Sequence, residues 1–198
     1  SFSDTLAQVI EMSVDRLSVF DYAHMPDRFR PQRHIRDQDL PSPAQKLAIQ
    51  QQSIKQLTEA GYVYIGMDHF AKPTDSLAMA QNQGELKRNF QGYTTHANCD
   101  LLAFGTSAIS QIGHTYVQNH TATKDYRKSI ESGQLAIMKG YVSNRDDQIR
   151  HNVIMSLICN FELNTREVES EFDIVFKNYF KNELTELLKL EKDGIIEL

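Results

Sequence analysis

The sequence predicts an α/β chain that passes into a mainly helical carboxy-terminal segment. Three observations carry this. Helix-like stretches alternate with short apolar strands, joined by brief turns that contain glycine, through about residue 120. Beyond residue 145 the apolar residues recur at helical spacing instead. The charge is also uneven: of 26 acids and 21 bases, the last 37 residues hold ten acids and five bases. The remaining residues balance at sixteen of each, so the net charge of -5 belongs to the carboxy-terminal segment. That imbalance argues for a separate unit there and against a chain-wide basic surface for nucleic acid.

Along the chain, Thr5 to Met12 suits a helix, and Arg16 to Tyr22 alternates like a strand. Ala23 to Pro43 carries four prolines and no sustained period, which predicts a long connection. Ser42 caps the next helix with Pro43 in its first turn, and Leu47, Ile49, Ile54 and Leu57 form its apolar face. Gly61 ends that helix and Tyr62 to Ile65 is a strand. Asp68 to Pro73 reads as a loop, Thr74 to Gln83 as a short helix and Leu101 to Phe104 as a buried strand. The alternation favours parallel strands, in too few units to close a barrel. After about Thr121 the pattern is helical, with stripes at Ile149, Val153, Ile154, Leu157, Ile158 and Phe161, then Val168, Phe172, Val175 and Phe176, then Leu184, Leu187 and Leu188. The closing Lys192-Asp193-Gly194 and Ile195 to Leu198 read as a turn and the start of a strand, either a winged-helix-like end or a plain helical cap.

Composition narrows the function classes. Hydrophobic residues make up 40% and no apolar run approaches a bilayer span. The two cysteines, Cys99 and Cys159, suit buried thiols in a reducing, cytoplasmic compartment and are too few for a zinc or iron–sulfur cluster. The amino terminus lacks signal-peptide features and starts without methionine, as expected of a processed or truncated chain.

Four stretches offer chemistry, each with a plainer alternative. In GYVYIGMDHFAKP (61–73) the pair Asp68-His69 follows a strand, where open α/β sheets place ligands; it could equally cap the next helix. LKRNFQGYTTH (86–96) is rich in donors and acceptors around Phe90 and Tyr93, or is a surface hairpin turn. FGTSAISQIG (104–113) reads as strand, Gly105, small hydroxyls and a helical turn, a backbone cradle for an anion, though many such turns look alike. Arg28, Arg30, Arg33, His34 and Arg36 form a clamp for a polycarboxylate or a solvated surface run. A metal site from Asp68, His69, His96, Cys99 and His114 is the remaining alternative, with His96 and Cys99 its one closely spaced pair.

Taken in order, DRLSVFDYAHMP, LPSPAQKLAI, GYVYIGMDHFAKP, RNFQGYTT, CDLLAFGTSAISQIG and RDDQIRHNVIMSLICNFELN closely resemble the oxygen-independent coproporphyrinogen III oxidase (dehydrogenase) family of radical S-adenosylmethionine enzymes. The resemblance covers essentially the whole chain. It implies the carboxy-terminal part of a partial (β/α) radical-SAM barrel followed by a mainly helical domain. The implied division is 1–125 for the barrel part, 126–144 for a connection and 145–198 for a truncated helical domain.

The family's activity, oxidative decarboxylation of two coproporphyrinogen propionates to vinyl groups by a 5'-deoxyadenosyl radical, is implied with it. So are S-adenosylmethionine and a 4Fe–4S cluster. The cluster's C-x3-C-x2-C motif is not in this sequence, so the chain alone is expected to be inactive and to bind neither cofactor. Position by position, Ala23 and Ile109 match S-adenosylmethionine contacts, and Phe90 and Gln91 match positions beside the cofactor and substrate cavity. No metal ligand is assigned. Ala103 stands where the family commonly has glycine. A haem-binding chaperone of the same superfamily is the alternative. The implied partner is a small tetrapyrrole, without nucleic acid or membrane; the parent is expected to be a monomer, whereas the chain alone exposes a sheet edge that invites self-association.

Overall fold

The computed structural model describes residues 1–96 and 99–198, which divide into two compact units, Ser1–Leu86 with Tyr93–Thr95 and Lys87–Gly92 with His96–Leu198.

In the first unit, helix α1 (Phe2–Glu11) and helix α2 (Pro43–Glu59) both begin with a capping box, Ser1 with Asp4 and Ser42 with Gln45. The two helices are tied by Gln56, whose amide donates to the Ser3 carbonyl at 3.1 Å and accepts from its hydroxyl at 3.0 Å. Leu6, Leu57, Tyr62 and Phe70 make the core, and Ile10, Leu17, Val19, Ile54 and Tyr64 pack around it. Of the apolar face expected on α2, Leu57 is buried, Ile49 and Ile54 are half-buried and Leu47 is exposed. Leu47 lies near the amino end of α2, outside the cluster that Leu57 and Ile54 join.

Strand β1 is Arg16–Ser18, shorter than expected; β2 is Val63–Gly66 and β3 is His69–Ala71. The sheet order is β1-β3-β2, antiparallel throughout. This corrects the parallel arrangement. β1 and β2 do run the same way, but β3 lies between them because Gly66 and Met67 turn the chain straight back, with φ of 139° and 53°. Half of the expected loop from Asp68 to Pro73, His69–Ala71, is therefore strand. Helix α3 (Ser76–Asn82) is capped by Asp75, whose carboxylate accepts from the Leu77 amide at 2.8 Å and pairs with Arg16 at 2.6 Å. The long connection holds two short 3-10 turns, Arg30–His34 and Asp37–Asp39.

Short strands β4 (Lys87–Asn89) and β5 (Gly92–Thr94) flank the Phe90–Gln91 turn. The second unit then builds an antiparallel sheet from β6 (Ile109–Ile112), β7 (Thr115–Asn119) and β8 (Ile137–Val142), in the order β6-β7-β8. Helix α4 (Thr123–Glu131) connects β7 to β8, so the helical reading after Thr121 is interrupted by a strand. The strand expected at Leu101–Phe104 reduces to one bridge, Leu101 to Gln111, and Leu102 and Phe104 are 63% and 88% exposed.

Helices α5 (Arg145–Asn160), α6 (Thr165–Phe172), α7 (Phe176–Tyr179) and α8 (Lys181–Lys192) close the unit. Their core is Ile149, Val168, Phe176 and Phe180, with Val153, Phe172 and Leu184 packed on it. Ile154, Leu157, Phe161, Val175 and Leu188 of the expected stripes are exposed instead. The short α6 and α7 cover only the Ile149–Val153 side of α5. Residues 195–198 form no strand.

Candidate functional site

The site grows out of the β6–β7 hairpin. Ile109-Ser110-Gln111-Ile112 and Thr115-Tyr116-Val117-Gln118-Asn119 are joined by a two-residue turn in which Gly113 adopts φ 52°. Direct cross-strand partners share a face, and so do residues two apart along a strand. Gln111, Tyr116 and Tyr141 therefore form one row across the sheet, and Ile109, Gln118 and Lys139 form the neighbouring row on the same face.

Phe90 reaches that face. Its ring meets Tyr116 edge to face, with centroids 5.6 Å apart at 70°. The turn that presents it is set by Asn89, whose side-chain oxygen accepts from the Gln91 amide at 2.8 Å. Phe90 remains 57% exposed and Gln91 is exposed. Burial raises the Tyr116 hydroxyl pKa above its usual value. Phe90 and Ile109, well separated in sequence, thus belong to one surface of the second unit, with Gln91 next to Phe90 in the turn. Ala23 belongs to the first unit, is exposed, and has its carbonyl held by the Gln32 amide at 3.1 Å.

The rows also contain Tyr116, Gln118, Lys139 and Tyr141, which sequence reasoning missed. The signal was present as alternation on both sides of Gly113-His114, the pattern of a hairpin. Reading 104–113 as a strand, glycine and helical turn obscured it. The anion cradle expected there is corrected as well. The Gly105 amide donates to the Tyr126 hydroxyl at 3.1 Å, Ser107 to the His120 carbonyl at 3.0 Å and Ala103 to the Ser110 hydroxyl at 3.0 Å. Amides spent on internal bonds do not point at an anion. Ala103, the departure from glycine, sits in this laced segment, half-buried.

The other candidates resolve differently. His69 Nδ1 lies 2.9 Å from the Asp68 carboxylate, and its ring meets Tyr93 edge-on at 5.2 Å. The pair caps no helix, since α3 uses Asp75. In the arginine run, Arg36 holds Asp39 through two bonds of 2.8 and 3.0 Å, and Arg33 donates to the Pro26 carbonyl at 2.9 Å. Arg28 lies against the Phe29 ring. No converging clamp forms from these side chains. Among the described residues no three His, Cys, Asp or Glu side chains come together as a metal site; His96 and Cys99 bracket the two residues outside the description. Neither Cys99 nor Cys159 is in a disulfide, and Cys159 is buried, but Cys99 is exposed, contrary to the expectation of two buried thiols.

No protein-family model matches the chain. Individual proteins do. Over all 198 residues it is 54% identical to oxygen-independent coproporphyrinogen III oxidase of Pseudomonas aeruginosa and 51% identical to that of Escherichia coli, in each case covering 43% of the relative. The protein of the same name from Synechocystis is 44% identical over 200 residues. The chain is a homologue of the oxygen-independent coproporphyrinogen III oxidases.

The solved structure of coproporphyrinogen III oxidase from Escherichia coli, described as a radical SAM enzyme, superposes with a TM-score of 0.96 at 51% identity. It covers the whole of this chain, which spans 46% of that one. The fold is thus that of the corresponding part of a radical SAM enzyme, as the motifs implied. The chain spans less than half the length of these oxidases. Among the described residues no helix is long and apolar enough to cross a membrane.

Proposed function

We propose that this chain supplies one wall of the cofactor and substrate cavity in an oxygen-independent coproporphyrinogen III oxidase. The observation that supports the reading best is that Phe90 and Ile109, matched to cavity positions by motif, share one face of the β6–β7–β8 sheet. The reaction converts two propionates to vinyl groups. Each propionate must lose a hydrogen atom, an electron and carbon dioxide, and the electron leaves to an external acceptor.

The donor set of this chain does not fit a 4Fe–4S cluster, since it holds two cysteines, one exposed and one buried. The cluster would be held by other residues of the parent. S-adenosylmethionine fits better. Ile109 offers aliphatic surface beside the Gln118 amide, the mix of apolar area and polar orientation that small-ligand sites use. When bound and cleaved, that cofactor supplies the hydrogen-abstracting radical. The chain's own residues hold and orient: Ile109 by contact, Phe90 by packing on the macrocycle, and Gln91 by hydrogen bonding without adding charge. Ala23 is proposed as a further cofactor contact. The compartment proposed for such an enzyme is the cytoplasm.

The test is a chimera in which this chain replaces the matching segment of the Escherichia coli enzyme. Anaerobic assay with reductant, S-adenosylmethionine and coproporphyrinogen III should yield protoporphyrinogen IX, with none from the chain alone. A folded, cluster-loaded chimera that makes no product, or turnover by the isolated chain, contradicts the reading.

A further inference from the structure

We propose that Lys139 anchors a carboxylate of the tetrapyrrole, making the Ile109–Gln118–Lys139 row a binding stripe with an apolar end and a cationic end. The inference rests on the substrate reading above and names a residue that neither the motifs nor the matched positions indicate.

The register places Lys139 directly across from Gln118, which itself lies across from Ile109. Neighbouring strands are separated by about 4.8 Å, so Ile109 and Lys139 stand roughly 10 Å apart on one face. The parallel row brings Tyr116, with Phe90 against its ring, alongside them. Such a face matches an apolar macrocycle that carries carboxylates at its rim. Aromatic and aliphatic surface receives the ring, and a cation stands at the edge.

Lys139 is available for that role. It is exposed, and among the described residues its ammonium forms no ion pair. Asp147, the carboxylate bonded to Tyr141 of the neighbouring row, is occupied otherwise. It accepts from the Tyr141 hydroxyl and, at 2.9 Å, from the Asn144 amide at the start of α5. Gln118 spends its amide N–H on the Ser107 carbonyl at 3.1 Å, which fixes the residue between the two ends of the row. Rows Gln111–Tyr116–Tyr141 and Ile109–Gln118–Lys139 contain one cation, Lys139. A lysine ammonium is a compact charge on a flexible stem, suited to a carboxylate at the end of an equally flexible propionate. The plainer role of a lysine on a terminal strand is to discourage edge-to-edge pairing. That role predicts no dependence on ligand carboxylates.

The experiment titrates the 198-residue chain with coproporphyrin III, the stable oxidised form with the same propionates, and follows porphyrin fluorescence. Saturable binding is expected, weakened about three- to tenfold in Lys139→Gln and largely kept in Lys139→Arg. The tetramethyl ester should bind the unaltered chain and Lys139→Gln alike. Circular dichroism confirms that each variant is folded, and chain mass should not change with Lys139→Gln. Equal affinity of Lys139→Gln for coproporphyrin, a deficit that persists with the ester, or no saturable binding by the unaltered chain would overturn the proposal. An inactive chimera speaks against the oxidase reading and leaves this binding result standing, so the two failures are distinguishable.

Discussion

Phe90 and Tyr116 meet edge to face across 5.6 Å, joining the turn after β4 to the middle strand of the β6–β7–β8 sheet. The contact holds a largely exposed aromatic ring in place with a partner that is itself half-buried. With the Asn89 bond that sets the turn, it presents Phe90 in a defined position.

Removing that ring should be read at Tyr116. Burial raises the phenol's pKa, so in Phe90→Ala it should move back towards the ordinary value of about 10. A raised folded pKa contributes stability below the unfolded value that is lost as pH rises through the folded one. The alkaline loss attributable to Tyr116 should therefore shrink in the variant. Ultraviolet difference titration checks the shift, and an unchanged Tyr116 titration would contradict the packing role. The ring pair itself is expected to contribute about 0.5 kcal/mol, the low end for an aromatic pair, because Phe90 is exposed.

The core of the first unit should respond far more strongly. Leu57 is fully buried among Leu6, Tyr62 and Phe70, so Leu57→Ala is expected to cost about 2–5 kcal/mol. Leu47→Ala, on the same helix but exposed, should change stability by about 0.5 kcal/mol or less. Urea unfolding of both variants checks the contrast.

The two thiols should separate cleanly. Cys159 is buried, and burial pushes its thiol pKa up against the opposing charges of Lys87 and Arg88. Cys99 is exposed. A thiol reagent at mild alkaline pH should modify Cys99 rapidly and Cys159 only on unfolding. Because the folded pKa of Cys159 is raised, its contribution to stability is present below about pH 8.5 and is lost as pH rises through the folded value. Cys159→Ala should flatten that alkaline slope in chemical unfolding measured across pH.

Arg150 joins two helices, with its guanidinium 2.9 Å from Asp146 and 2.7 Å from Glu183. The Tyr179 hydroxyl, then Arg150, hold the Asp146 carboxyl below its usual pKa, and Arg150 is the leading cause of the same shift at Glu183. Depressed carboxylate values stabilise above about pH 4 and lose that contribution as pH falls through the folded values. The stability gap between the unaltered chain and Arg150→Met should be present at neutral pH, close on acidification and shrink in high salt, since all three side chains keep at least 42% of their surface in solvent. A gap that persists at low pH points to the Arg150 contact with the Phe180 ring instead.

What was legible before the structure depended on the range of the interactions involved. Ser42, Pro43 and Gln45 announce a helix start because a capping box needs only residues within one turn. Gly61 marks the end of α2 for the same local reason. The motifs around Phe90 and Ile109 carried the family relationship, since their identity and order survive without any knowledge of pairing. Local pattern could not say that β3 enters between β1 and β2. That order follows from hydrogen bonds between segments some fifty residues apart, formed once the Gly66–Met67 turn sends the chain back. Nor could it say that Lys139 stands in line with Ile109, because a shift of one residue in register would move every side chain of β8 to the other face. Composition and order thus determined the kind of protein and which stretches bear on its chemistry. Strand pairing alone decided which residues share a surface, since register is set by contacts distant in sequence.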